Sequence, residues 1–332
     1  MLRLFRSIAA LVFVAAVTLH AASAATLLNV SYDPTREFYA EYNTAFAAYW
    51  KKKTGEDVTV EQSHGSSGAQ ARAVIEGLEA DVVTLALAFD IDAIASKTKA
   101  IAPDWAKRLP DNSSPYTSSM VFLVRKGNPK HIRDWNDVAR PGVGVITPNP
   151  KTSGAARWIV LAAYSYGLKR NHNDDAKARA LLGAIYKNAL VLDSASRAST
   201  VTFTERGLGD VLVSWENEAI LVMKEHPHDY QIVVPSVSIL AEPPVAWVDA
   251  NVAKHHTEAE AKAYLAYLYS PQAQRLACKW GYRPRLTSVM GTCGTSFART
   301  DLTTIANFGG WNAANARFFA DGGIFDQVFQ PK

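Results

Sequence analysis

Residues 80–87 read ADVVTLAL, a nearly unbroken apolar run. A strand of that kind has to be covered on both faces, which is the environment of a parallel strand in an α/β sheet. The segments before it fit the same architecture. Leu27 to Tyr32 reads as a strand, and Asp33-Pro34 supplies a capping residue and a proline suited to the first helical position. A helix through EFYAEYNTAFAAYWKKK then runs to a stop at Thr54-Gly55. Val58 to Gln62 reads as a second strand and leads through SHGSSG into a helix over Ala69 to Leu78. Strand and helix alternating over short connections predict a mostly parallel sheet.

The loop LPDNSSPYTSS interrupts this alternation near Pro110 to Ser119, and a strand over Met120 to Arg125 opens a second βα series. That series contains a helix near Ile132 to Ala139, a strand Gly144 to Thr147 and a helix from Gly154 onward. Ala155, Ile159, Ala162 and Tyr166 fall on one stripe of the last. Strand Ala189 to Leu192, helix Ser199 to Arg206, strand Asp210 to Ser214, helix Glu216 to Lys224 and strand Gln231 to Val234 complete it. ILAEPP is a second break, followed by a strand Val245 to Val248, one long amphipathic helix over Glu258 to Ala277, and a tail with FGGW and GGIFDQ. Two series separated by two crossings predict two α/β lobes. Residues 25–115 and 243–332 are expected in the first, and 116–242 in the second.

The first 24 residues belong to neither series. Arg3 and Arg6, an apolar run from Ile8 to Leu19 and Ala22-Ser23-Ala24 make the pattern of a cleaved secretory signal peptide. The run is short of the roughly 20 residues that span a bilayer, so the mature chain is expected outside the cytoplasm. Net charge is +4, which offers no support for nucleic-acid binding. Two cysteines, Cys278 and Cys293, exclude a disulfide scaffold and leave one optional staple.

Four places share one design, in which a strand ends, a small or capping residue follows, and a helix begins. They are Tyr32-Asp33-Pro34, His64-Gly65-Ser66-Ser67-Gly68, Lys151-Thr152-Ser153-Gly154-Ala155 and Asp193-Ser194-Ala195-Ser196-Arg197. Each offers backbone N–H groups without a partner inside its helix, and such termini favour anions. Open α/β sheets place ligands at the carboxyl ends of their strands. Every α/β protein also starts its helices this way, so each turn alone has a purely structural reading. A serine hydrolase is the competing chemistry, but HGSSG is not the G-x-S-x-G nucleophile elbow. His226, His228, His255 and His256 lack the spacing of a zinc helix. No metal, cofactor or nucleotide site is expected.

LLNVSYDPTREFY, QSHGSSGAQA, EADVVTLALAFDIDAI, RLPDNSSPY, FLVRKGNPKHIRDWND, ITPNPKTSGAARW, TERGLGDVLVSWENEA, ILAEPPVAWVD and YLYSPQAQ closely resemble the periplasmic sulfate-binding proteins of ABC importers. The resemblance runs from about Leu27 to Arg285 and resumes at FGGW and GGIFDQ. It implies the type II periplasmic-binding fold, two α/β lobes joined by hinge strands that close on the ligand. It also implies a monomer that captures sulfate, needs no cofactor and delivers to ABC transporter permease subunits. Thiosulfate is the nearest alternative ligand, since those relatives share PKTSG and GLGDVL. Molybdate, tungstate and phosphate are more distant ones.

The resemblance further implies a ligand shell: the N–H of Asp33, Ser67, the Ser153 hydroxyl with the N–H groups of Gly154 and Ala155, the N–H of Ser196, and the indole N–H of Trp215. Ala155, Ser196 and Ala198 depart from the family's usual Gly, Ala and Gly. The chemistry agrees with this shell. Sulfate offers only acceptors at neutral pH, Trp is donor-only, and a buried carboxylate facing a dianion is costly. Arg157 and Arg197, just after their turns, read either as supports for the anion or as solvated charges.

Overall fold

The computed structural model describes residues 24–329. The basic start and apolar run of the expected signal peptide lie outside the described residues. Among the described residues no helix is long and apolar enough to cross a membrane.

The first lobe is built on a four-stranded sheet in the order Val245–Trp247, Val82–Thr84, Ala25–Tyr32, Val58–Gly65. The last three are parallel, while the Val245 strand is antiparallel. Register places Ser31 beside both His64 and Thr84, and Tyr32 beside Gly65. The strands therefore end level, and the turns that follow open at one edge. Helix Arg36–Thr54 covers the sheet with Phe38, Tyr39, Tyr42, Phe46 and Trp50, which recur on one helical face and are all buried. Tyr264, Tyr267 and Tyr282 complete this core.

The second lobe carries a five-stranded sheet in the order Ala189–Asp193, Val145–Pro148, Val211–Trp215, Met120–Arg125, Tyr230–Val233. Its first three strands are parallel, and Pro148 pairs with Asp193 at their carboxyl ends. Met120–Arg125, expected to open a βα series, instead runs antiparallel between its two neighbours. It enters directly from the crossing rather than from a helix.

Three further departures have local causes. The long helix expected over Glu258 to Ala277 is two, Glu258–Tyr267 and Pro271–Lys279. Pro271 cannot donate to an ongoing helix, and the Ser270 hydroxyl caps the new one by accepting from Ala273 N–H. Helices Ala88–Thr98 and Asp175–Lys187 were absent from the sequence expectation. The tail was also expected back in the first lobe, and the structure corrects this. From Asp301 onward it lies on the second lobe, where Asp301–Thr303 pairs with Val237–Ile239. Trp311 packs on Trp158 at 4.6 Å between ring centroids, Phe318 on Tyr164 at 4.8 Å and Phe325 on Tyr186 at 4.9 Å. The reason lies in helix Gly154–Arg170. Every residue from Trp158 to Gly167 is buried, so a sheet on one side cannot cover it, and the tail supplies the other wall.

The lobes are joined where Ser118 and Ala241 exchange two backbone hydrogen bonds of 3.0 Å. Beside them Tyr116–Thr117 pairs with Arg283–Pro284. Cys278 and Cys293 are disulfide-bonded, with Cα atoms 5.9 Å apart.

Phe318 is fully buried, and Phe318→Ala should cost about 3–5 kcal/mol in urea unfolding. A loss below about 1 kcal/mol would mean that the tail is not part of this core.

Candidate functional site

The carboxyl ends of the two sheets face one another across a small, tightly closed pocket lined by Tyr32, Asp33, Ser67, Ala86, Ser153, Gly154, Ala155 and Trp215. Six of the seven residues singled out in the sequence line it. The seventh, Ser196, is buried but not among the lining residues, and its hydroxyl has no hydrogen-bond partner among the described residues.

All seven share a backbone position. Asp33 opens the 3₁₀ turn Asp33–Thr35, Ser67 opens helix Ser67–Ile75, and Ser196 opens helix Ser196–Thr204. Ser153 is the N-cap of helix Gly154–Arg170, whose first two residues are Gly154 and Ala155; Trp215 is the N-cap of helix Glu216–Glu225. At none of these five starts does the N-cap side chain accept from the helix. The donors that a capping oxygen ordinarily satisfies are free of their own N-cap side chains, though Asp33 Oδ2 takes Arg197 N–H and Ser119 O takes Glu216 N–H. Two of the helices begin two to three residues earlier than the sequence suggested, which moves Ser67 and Ser196 from the turn into the first helical position. Ala155 and Ala198 sit in ordinary helical backbone without positive φ, so alanine is unstrained at both.

Side chains contribute less than the backbone. The Ser67 hydroxyl donates to Asp90 Oδ2 at 2.5 Å and accepts from Ala86 N–H at 3.0 Å, so it is already engaged on both sides. Trp215 is fully buried, its ring 5.6 Å from that of Tyr32, and its Nε1 has no partner among the described residues. Asp33 brings the only carboxylate in the lining, and that group turns away. Its Oδ2 accepts from Arg197 N–H across the cleft at 2.7 Å. Burial pushes the Asp33 carboxyl up to about 6, with the Arg197 N–H opposing.

Arg197 is not a solvated charge. Its guanidinium bonds Glu37 of the first lobe at 3.0 and 2.8 Å and Glu218 of the second at 2.9 Å. Burial pushes the Glu218 carboxyl up to about 7 against the pull of Arg197. Arg157 lies between the rings of Phe89 and Phe319, with Nε donating to Pro150 O at 3.1 Å. Neither arginine lines the cavity. His64 pairs with Gln62 Oε1, and burial lowers it to about 4. No serine meets it among the described residues, so the hydrolase pairing is not formed.

The lobes touch closely over the cavity. Trp158 Nε1 donates to Ala86 O at 3.1 Å. A Cβ placed on Gly154 would stand 2.7 Å from Ala86 Cβ, and one on Gly68 would stand 3.1 Å from Thr152 O. Sequence reasoning missed Tyr32 and Ala86 in the lining. Both sit at the carboxyl end of a first-lobe strand, the position where such sheets place ligands.

Residues 31–283 match the family model for bacterial extracellular solute-binding proteins. The chain belongs to that family. Solved relatives agree with this solute-binding protein's two-lobe fold. A sulfate-binding protein from Mycobacterium tuberculosis has a TM-score of 0.81 at 31% identity, covering 89% of this chain and 99% of its own. The sulfate-binding protein of Escherichia coli (strain K12) is 58% identical over 320 residues, 96% of this chain and 97% of that protein. The thiosulfate-binding protein of Pseudomonas aeruginosa is 47% identical over 311 residues, 93% of each. These are binding proteins, and this chain is a binding protein rather than an enzyme.

The Asp33 carboxyl makes one titration testable. Its pKa is raised from 3.8 to about 6 on folding. The stability it contributes is therefore complete below about pH 4 and lost as pH rises through 6. Asp33→Asn lacks that loss while keeping an acceptor for Arg197 N–H. Its melting temperature relative to the unsubstituted protein should climb between pH 4 and 6 and level off above. A flat difference across that range would contradict the burial assigned to the carboxylate.

Proposed function

We propose that this solute-binding protein captures sulfate between its lobes with neutral donors at helix N-termini. The observation carrying this is the set of four helix starts without side-chain caps meeting at one small pocket, with that of Ser196 beside them, and an indole N–H of Trp215 that has no partner among the described residues. Asp33, Ser67, Ser153, Gly154, Ala155, Ser196 and Trp215 are the proposed shell. Ser196 acts from the rim through its N–H.

A shell of donors fits an oxyanion that carries no proton. Protonated phosphate would leave its own O–H without an acceptor here, at about 1–3 kcal/mol. The names of the relatives support sulfate, and those at 47 and 46% identity support thiosulfate as the second reading. The proposed route begins with a signal peptide cleaved after Ala24 or Ala25 and a periplasmic monomer. The closed form then presents the anion to a permease pair of an ABC importer. The proposed boundary between lobes falls near 115/116 and 242/243, at the Ser118–Ala241 crossing, with the tail assigned to the second lobe.

A thermal scan of sulfate-free mature protein against sulfate, thiosulfate, molybdate, phosphate and chloride tests this. Sulfate at 100 times its dissociation constant should add about 2.7 kcal/mol. Trp215→Phe should weaken sulfate by about 1–3 kcal/mol. A larger shift with thiosulfate would reassign the ligand, and none with any anion would end the proposal. Gly154→Ala should weaken every bound anion at least about tenfold, because its Cβ and that of Ala86 cannot share the closed interface. Unchanged affinity would show that closure is looser than this geometry.

A further inference from the structure

Glu216 follows Trp215 directly, is almost wholly buried, and does not line the cavity. Its carboxylate is nevertheless held from two chain crossings. Arg283 donates through Nε to Oε2 at 2.6 Å and through Nη2 to Oε1 at 2.8 Å. Ser119 Oγ donates to Oε2 at 3.3 Å, and the Glu216 N–H donates back to Ser119 O at 2.8 Å. The next residue, Asn217, accepts from Ser118 Oγ at 2.9 Å and packs on Gly281 so closely that a Cβ there would stand 3.0 Å from Asn217 Cα. Tyr282, between Gly281 and Arg283, donates its hydroxyl to Pro34 O at 3.0 Å, in the Asp33 turn of the first lobe. Residues 281–283 thus grip one ligand turn from each lobe at the pivot.

Arg283 is itself fixed. Its Nη2 also donates to Ala298 O at 2.9 Å, and the Phe297 ring lies 5.2 Å from its guanidinium. The loop bearing both residues is tied down by the Cys278–Cys293 disulfide and by Thr295 Oγ1 donating to Cys278 O at 2.7 Å. A buried ion pair adds little stability over an apolar pair of the same shape. Its distinctive property is direction, because the guanidinium fork meets a carboxylate in one plane.

We propose that Arg283 is a positioning residue for anion capture. By clamping Glu216 it fixes the backbone at which Trp215 ends its strand, and so the direction of the indole N–H at the cavity. This rests on the reading of Trp215 as an anion donor.

The test is a double-mutant cycle read by titration calorimetry with sulfate, using the mature protein, Arg283→Lys, Trp215→Phe and the pair. Arg283→Lys keeps the charge beside Glu216 and loses the fork. It should weaken sulfate about tenfold in the parent and less than about twofold in the Trp215→Phe background, because the donor it orients is gone. Glu216→Gln runs through the same cycle if Arg283→Lys does not fold. Equal weakening in both backgrounds, or none in a folded variant, overturns the inference alone. A parent protein that takes up no sulfate overturns the anion reading and this inference with it.

Discussion

A helix begins with backbone N–H groups that its own hydrogen-bond ladder cannot reach, and this debt organises the molecule. At some helices elsewhere the chain settles it locally. Asp134, Asp174 and Ser270 cap their helices with side-chain oxygens. At the cleft the N-cap side chains do not, and four such helix starts, with that of Ser196 beside them, are brought together by two sheets whose strands end level. The sheets thereby gather the N-terminal ends of several helices at one pocket, whose lining carboxylate, Asp33, is bonded to Arg197 N–H.

Charged side chains surround this pocket, and each has a hydrogen-bond partner. Asp33 turns to the Arg197 N–H, Arg197 divides itself between Glu37 and Glu218, and Asp90 takes the Ser67 hydroxyl. Three of these contacts, Asp33 to Arg197 N–H and Glu37 to both guanidinium nitrogens, join the lobes. They are satisfied only when the lobes meet. Buried carboxylates left alone would drive up the cost of closure. Paired across the cleft, they recover part of that cost and hold their negative charge away from the donors.

Much of this was legible in the sequence because it depends on local signals. Continuous apolar strands, capping residues and glycine-rich turns gave the α/β alternation and the places where donors collect. What was not legible depends on partners far along the chain. The antiparallel course of Met120–Arg125 follows from its entry at a crossing, which no periodicity encodes. The role of Arg197 required Glu37 and Glu218 as neighbours, and a sequence gives no distance between them. Which group Ser67 leaves free depends on Asp90, which takes its hydroxyl from 23 residues away. Helix Gly154–Arg170 offered a fair warning. AARWIVLAAYSYG is apolar around most of its circumference, and such a helix needs cover on two sides. The match of the tail to that need was readable in principle and was assigned to the wrong lobe.

The return of the tail also bears on how the chain comes together. Lys151 meets Asp326 across a sequence separation of 175 residues, and Trp158, Tyr164 and Tyr186 take aromatic partners from residues 311–325. Contacts of such long range close late, since the intervening chain has to be ordered before they reward it. The second lobe therefore cannot finish its interior until residues 301–329 have joined it, and that segment acts as the latch on a half that the preceding chain leaves unlocked.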